Sequence, residues 1–175
     1  EIKKENLEKI TDEDFEEGNI ILVGRITKQK NFSLIIDAIN LDPKLYEGFK
    51  VFIFGEGELR SDLEKRIKFN NLEKKIYLKG YIRNIHKYLK KSKIFILTSL
   101  WEDPGFVLVE AGLSNLSVIS SNCPNGPKEI LKNGNAGYLF ENNDPKSLNL
   151  NLKKFLEEDD KKIHQKKVLL KRNIR

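Results

Sequence analysis

The chain has 175 residues, 39% of them apolar and 33% charged, which is enough hydrophobic content for a buried core and too much for a disordered segment. Its one cysteine, Cys123, excludes an intramolecular disulfide, and with only His86 and His164 beside it a closed zinc site lacks ligands. The net charge of +6 divides into −5 over residues 1–18, +5 over 19–159 and +6 over 160–175, and no apolar run approaches the ~18 residues of a membrane span.

Residues 1–18 are mostly charged and lack the apolar stretch of a secretory signal, and a chain without methionine is not expected to start naturally at Glu1. From residue 19 the pattern alternates. Short β-type runs are predicted over Asn19–Gly24, Lys50–Gly55, Lys75–Gly80, Lys93–Thr98, Ser117–Ser121 and Gly137–Phe140. The first, second and fourth are apolar nearly throughout, which suits strands covered on both faces. Between the runs, Leu34, Ile35, Ala38 and Ile39 form one helical stripe and Leu59, Leu63 and Ile67 another. A helix over Asn84–Ser92 would carry His86 on its surface, and a short apolar helix is predicted from Gly105 to about Asn115. Asp144 and Pro145 supply an N-cap and a first helical residue for a helix to about Glu158. The basic tail, residues 159–175, reads as a helix with a solvated face, or as one that contacts a membrane surface or another domain. The alternation predicts an α/β fold: a Rossmann-like, doubly wound, mostly parallel sheet flanked by helices.

In such sheets ligands bind beyond the carboxyl ends of the strands, where strand order reverses, so the loops after the strands are where a site is expected. After the first run, Gly24 permits a tight exit, and Arg25 and Lys30 can face the crevice at a helix start, as a phosphate clamp would. On spacing alone, ordinary surface charge in a lysine-rich chain is the simpler reading of that pair. Gly55-Glu56-Gly57 begins like a dinucleotide fingerprint, but Arg60 stands where its third glycine belongs, so it reads as a turn. After the fourth run, Pro104 and Gly105 interrupt the chain, and the amides of Phe106, Val107 and Leu108 would point back into the crevice. Glu102 precedes that helix and Glu110 lies one turn inside it, among Val, Leu and Ala. A buried carboxylate there needs donors: a vicinal diol would supply two, and a solvent-facing position or an ion pair with a lysine would serve equally. Cys123 reads as a small filler. The ten phenylalanines and five tyrosines mostly follow core patterns rather than an exposed stacking platform, which argues against nucleic acid as a partner.

Taken together, these loops resemble family 4 retaining glycosyltransferases, the group 1 glycosyltransferase family. Glu102 and Glu110 are similar to its E-x7-E motif, and the Gly24-Arg25 to Lys30-Asn31 segment is similar to its donor-phosphate clamp. Residues Gly80 to Glu110 and the Asn122 to Ile130 loop fit in order and spacing, so the resemblance covers residues 19–158. It implies the C-terminal, nucleotide-sugar-binding half of a GT-B enzyme. By that likeness Gly24, Arg25 and Lys30 serve the donor diphosphate, Glu110 the ribose hydroxyls and Glu102 the transferred sugar. The Phe106 and Val107 amides would contact phosphate, and Ile82 would clamp the base through its backbone. Many members have Gly-Phe-Gly after the first glutamate where this chain has Asp103-Pro104-Gly105-Phe106, which leaves the role of Asp103 open.

The resemblance also implies retention, a UDP-sugar rather than a GDP-sugar donor, no cofactor, and a glycan or lipid-linked acceptor held by an N-terminal domain. No DxD-like cluster follows a strand, so metal-independent transfer is expected. Residues 1–18 would be an inter-domain connector, 19–158 the nucleotide-sugar domain, and 159–175 a basic helix docking on the other half. The expected setting is cytoplasmic and bacterial, in polysaccharide synthesis, with a peripheral contact at the inner membrane face. By itself the chain is expected to bind nucleotide weakly and turn over little. A non-catalytic nucleotide-binding or interaction module on the same scaffold is the alternative.

Overall fold

Period-two side-chain alternation, with both faces apolar, builds the sheet. The computed structural model describes Phe15 and residues 18–174. Its strands are β1 Ile20–Val23, β2 Val51–Phe54, β3 Ile76–Gly80, β4 Ile94–Leu97, β5 Ser117–Ser121 and β6 Tyr138–Phe140. Every strand falls within one of the runs expected from sequence. They form one parallel sheet in the order β3-β2-β1-β4-β5-β6. The helices are α1 Ser33–Leu41, α2 Arg60–Phe69, α3 His86–Lys91, α4 Phe106–Leu113, α5 Pro127–Ile130, α6 Pro145–Glu157 and α7 Asp160–Asn173.

Alternate residues of each central strand feed two separate cores. Ile20, Leu22, Val51, Ile53, Ile94 and Ile96 face α1, α2 and α6, where Leu34, Ile35, Leu63, Leu148 and Leu152 meet them. Ile21, Phe52, Phe54, Phe95 and Leu97 face the other way, against Tyr88, Leu89, Leu108, Ala111 and Leu170. Each buried Val, Leu, Ile or Phe among them contributes about 1.5–3 kcal/mol, which is why the runs are apolar throughout instead of alternating with polar residues. At α6, the Asp144 carboxylate accepts from the Lys146 amide at 2.8 Å and the Ser147 amide at 3.1 Å, with Pro145 opening the helix.

Two terminal expectations change in detail. Phe15, inside the supposed acidic connector, is 2% exposed, with its ring centroid 4.6 Å from Phe52 and 5.2 Å from Tyr88. The connector's residues 1–14, 16 and 17 lie outside the described residues. The basic helix α7 packs its apolar edge on this domain. A Cβ at Gly112 of α4 would come within 2.9 Å of Leu170 Cγ and Ile174 Cδ1, so glycine is what lets the two helices approach. Its basic side is only partly solvated. Lys166 donates to the Gly134 carbonyl at 3.2 Å and sits 4.9 Å over the Tyr138 ring, and burial pulls its ammonium below its usual range. No described helix is long and apolar enough to cross a membrane.

Candidate active site

Strand order reverses between β1 and β4, so the loops leaving those strands frame the switch point. A cleft of about 560 Å³ opens at the ends of β1, β2 and β3. Its wall includes Gly24, Arg25, Gly55, Glu56, Ile82 and, reaching across from α4, Glu110. Four of the residues singled out from sequence therefore share one cavity. Backbone bonds hold its floor: the Gly24 amide donates to Phe54 at 3.0 Å and the Gly55 amide to Gly80 at 2.8 Å. A Cβ at Gly55 would lie 1.8 Å from the Gly24 carbonyl oxygen, and one at Gly57 would lie 2.3 Å from that of Ile26. The two glycines that mimic a dinucleotide fingerprint thus let the β1 and β2 exits touch, and Gly55 and Glu56 join the cleft wall as well.

Lys30 and Glu102 meet beside this cleft. The lysine stem runs close under Gly24, where a Cβ would stand 3.1 Å from Lys30 Cε. Lys30 Nζ donates to Glu102 Oε1 at 2.6 Å, with the two side chains 15% and 4% exposed. The lysine pairing considered for Glu110 is made by Glu102 instead. The β1 and β4 exits are laced together across 68 and 72 residues of chain: Thr98 Oγ1 donates to the Lys30 carbonyl at 2.7 Å and Gln29 Nε2 to that of Trp101 at 3.0 Å. The Leu100 amide donates to the Gln29 carbonyl at 2.8 Å, and the Glu102 amide to that of Pro124 at 3.0 Å. Ser99, fully buried, donates from Oγ to Glu102 Oε1 at 2.5 Å, and its own carbonyl accepts from Ser121 Oγ at 2.6 Å.

Helix α4 starts from Gly105 in the left-handed region (φ +84°), with no side-chain cap and no acidic residue in its first turn. The Phe106 and Val107 amides have no acceptor among the described residues, whereas the Leu108 amide, also expected to face the crevice, donates to the Gly105 carbonyl at 2.9 Å. Free amides and the positive end of the helix dipole favour an anion. The turn is supported by Gly126, whose added Cβ would lie 2.2 Å from the Pro104 carbonyl oxygen. Glu110, one turn along, is half-buried on the cleft wall, and its carboxylate has no hydrogen-bond or ion-pair partner among the described residues. Asp103 is exposed and off the cleft wall, as is the Phe106 ring, 71% exposed.

Other residues are bystanders. Cys123 is buried, and burial pushes its thiol up, as fits a packing residue. His86 and His164 lie exposed on α3 and α7. Among the described residues no three His, Cys, Asp or Glu side chains stand together as metal ligands. Sequence reasoning passed over Thr98, Ser99 and Ser121. The available signal was hydroxyl residues closing the carboxyl ends of β4 and β5, buried positions where apolar residues are the norm.

What fold and site define is a Rossmann-like α/β domain whose switch point gathers two cations, two free amides and two carboxylates. A sequence model of the family described as glycosyl transferases group 1 matches residues 3–168. The chain belongs to that family. It is 36% identical over 132 residues to an uncharacterized glycosyltransferase of Methanocaldococcus jannaschii, covering 75% of this chain and 32% of that protein. It is 34% identical over 140 residues to the N-acetylgalactosamine-N,N'-diacetylbacillosaminyl-diphospho-undecaprenol 4-alpha-N-acetylgalactosaminyltransferase of Campylobacter jejuni, covering 80% of this chain and 38% of that enzyme. Among solved structures, a point mutant of Staphylococcus aureus TarM in complex with fondaparinux, alpha-GlcNAc-glycerol and UDP superimposes with a TM-score of 0.82 at 27% identity, over 91% of this chain and 32% of TarM. The C-terminal domain of the group 1 glycosyltransferase LpcC from Francisella tularensis superimposes with a TM-score of 0.79 at 23% identity, over 93% of this chain and 87% of that domain. The chain thus spans about a third of the length of the curated relatives it matches, and its fold is that of the C-terminal half of a GT-B glycosyltransferase.

Proposed function

We propose that this chain is the donor-binding domain of a metal-independent, retaining glycosyltransferase that moves a sugar from a UDP-sugar to a glycan or lipid-linked acceptor. The observation that carries the reading is the Lys30–Glu102 pair at 2.6 Å beside the unaccepted Phe106 and Val107 amides. In this reading the base lies against the Ile82 backbone, the ribose hydroxyls donate to Glu110, and the diphosphate passes Gly24 toward Arg25, Lys30 and the α4 amides. Cleaving the sugar–phosphate bond leaves the diphosphate carrying developing negative charge. Cations and dipoles already fixed in place stabilise that charge without reorganising, the most effective form of transition-state electrostatics. This supply of positive charge supports transfer without a divalent ion, and the donor needs no cofactor.

Two kinds of relative support the choice of substrate: TarM crystallised with UDP, and the Campylobacter enzyme is named for a diphospho-undecaprenol acceptor. The acceptor would sit on a second domain, so the chain alone would bind donor and transfer little. A setting at the inner face of a membrane follows from such an acceptor. The test is thermal shift and calorimetry of the 175-residue chain with UDP, GDP, UDP-sugars and RNA. UDP and at least one UDP-sugar should stabilise the fold, and Arg25→Ala, which removes an exposed guanidinium without a described partner, should weaken UDP about tenfold or more at unchanged Tm. Absence of any nucleotide effect at millimolar concentration would overturn the reading. Binding with no transfer once an acceptor-side domain is supplied would favour the non-catalytic module.

A further inference from the structure

Glu102 has two oxygens, and the structure treats them differently. Oε1 accepts from Lys30 Nζ at 2.6 Å and from Ser99 Oγ at 2.5 Å, while no hydrogen bond from a described residue reaches Oε2. Glu102 as a whole is 3% exposed, so its rotation is confined by packing as well as by these two donors. Lys30 alone would leave that orientation loose, because an ammonium is a point charge that can follow either oxygen. A hydroxyl on backbone tied to the sheet cannot follow. Ser99 lies two residues beyond the end of β4, and its carbonyl is tied at 2.6 Å to Ser121 Oγ, the last residue of β5.

We propose that Ser99 is a positioning residue: by holding Oε1 together with Lys30, it presents the free Oε2 of Glu102 to a hydroxyl of the donor sugar. The inference rests on the donor-binding reading above and adds the group that fixes the sugar end of that site. Ser99 itself touches neither nucleotide nor sugar. The arrangement is one of support, since the reacting groups sit on loops and the hydroxyls that aim them sit at strand ends.

The test separates the sugar from the nucleotide. The 175-residue chain is titrated calorimetrically with UDP and with UDP-glucose, UDP-galactose, UDP-GlcNAc and UDP-GalNAc, and the quantity read is the affinity ratio of each UDP-sugar to UDP. Ser99→Ala should lower that ratio about tenfold for the preferred sugar, with UDP affinity itself unchanged within about twofold. Glu102→Gln should lower the same ratio. An unchanged ratio in a folded Ser99→Ala protein overturns the proposal, as does a parallel loss of UDP and UDP-sugar affinity, which a purely structural role would produce. Should Ser99→Ala not fold, Ser99→Cys, close in size and a weaker donor, should lower the ratio in the same direction, and an unchanged ratio there is equally fatal. If the unsubstituted chain binds UDP but Glu102→Gln leaves the ratio untouched, the Ser99 role fails while the nucleotide reading stands. If the unsubstituted chain binds no nucleotide, the donor-binding reading itself fails, and the Ser99 role falls with it.

Discussion

Replacing Lys30 by methionine tests the ion pair at the centre of the site. The pair is 2.6 Å long, and its side chains are 15% and 4% exposed. Removing the lysine leaves a buried carboxylate with, among the described residues, only the Ser99 hydroxyl as side-chain donor. Breaking one side of a buried pair costs about 3–5 kcal/mol, because the surviving charge is stranded without its solvation. The retained serine bond puts Lys30→Met at the lower end, about 3 kcal/mol. With a urea slope of about 2 kcal/mol/M, the unfolding midpoint should fall by about 1.5 M. Lys153→Met is the control: its pair with Glu157 is 3.8 Å long with side chains 63% and 67% exposed, and its loss should cost no more than about 0.5 kcal/mol. Adding Glu102→Gln to Lys30→Met should restore about 2 kcal/mol, since the stranded charge is then gone. A Lys30→Met midpoint indistinguishable from that of Lys153→Met would mean that Glu102 does not depend on the lysine for its burial.

Three further outcomes are expected. Gly55→Ala should cost at least about 3 kcal/mol in chemical denaturation, because its φ is +142° and the new Cβ would stand 1.8 Å from the Gly24 oxygen; Gly48→Ala, at φ +79° with nothing within 4 Å, should cost about 1 kcal/mol. Leu170→Ala should destabilise the chain by about 3 kcal/mol through its contact with α4, whereas a cost below about 1 kcal/mol would mean that α7 is not docked on this domain. Stability should fall as pH rises past 10.0. Burial, then the Asp42 charge, holds the Tyr46 hydroxyl above that ordinary value, and burial, then Glu158, does the same for Tyr138. The unfolded tyrosines ionise first, so the unfolded state binds fewer protons in that window and gains; the contribution is whole below pH 10.0 and lost above it. Urea midpoints from pH 8 to 11 should show the loss, and Tyr46→Phe should reduce it.

The strands were legible because both faces of the sheet are covered, which makes NIILVG, KVFIFG and KIFILT near-continuous apolar runs ended by Gly or Thr. The cleft residues were legible from their positions after strands, since the parallel topology carries every strand end to one side. What lay hidden depends on partners distant in the chain. Phe15 is one apolar residue in an acidic stretch, and only the aromatic cluster of Phe52, Phe54 and Tyr88 explains it. Gly55 and Gly57 looked like a degraded fingerprint because the carbonyls they make room for belong to the β1 exit. The choice of Glu102 over Glu110 as the lysine's partner turns on a 72-residue separation that no local pattern encodes.

The most direct test is a crystal structure of the chain with UDP. The diphosphate should lie within about 3 Å of Arg25, of Lys30 and of the Phe106 or Val107 amide, with the ribose hydroxyls on Glu110 and the base against Ile82. Density for UDP away from the β1–β4 switch point, or a diphosphate there that touches neither cation, would contradict it.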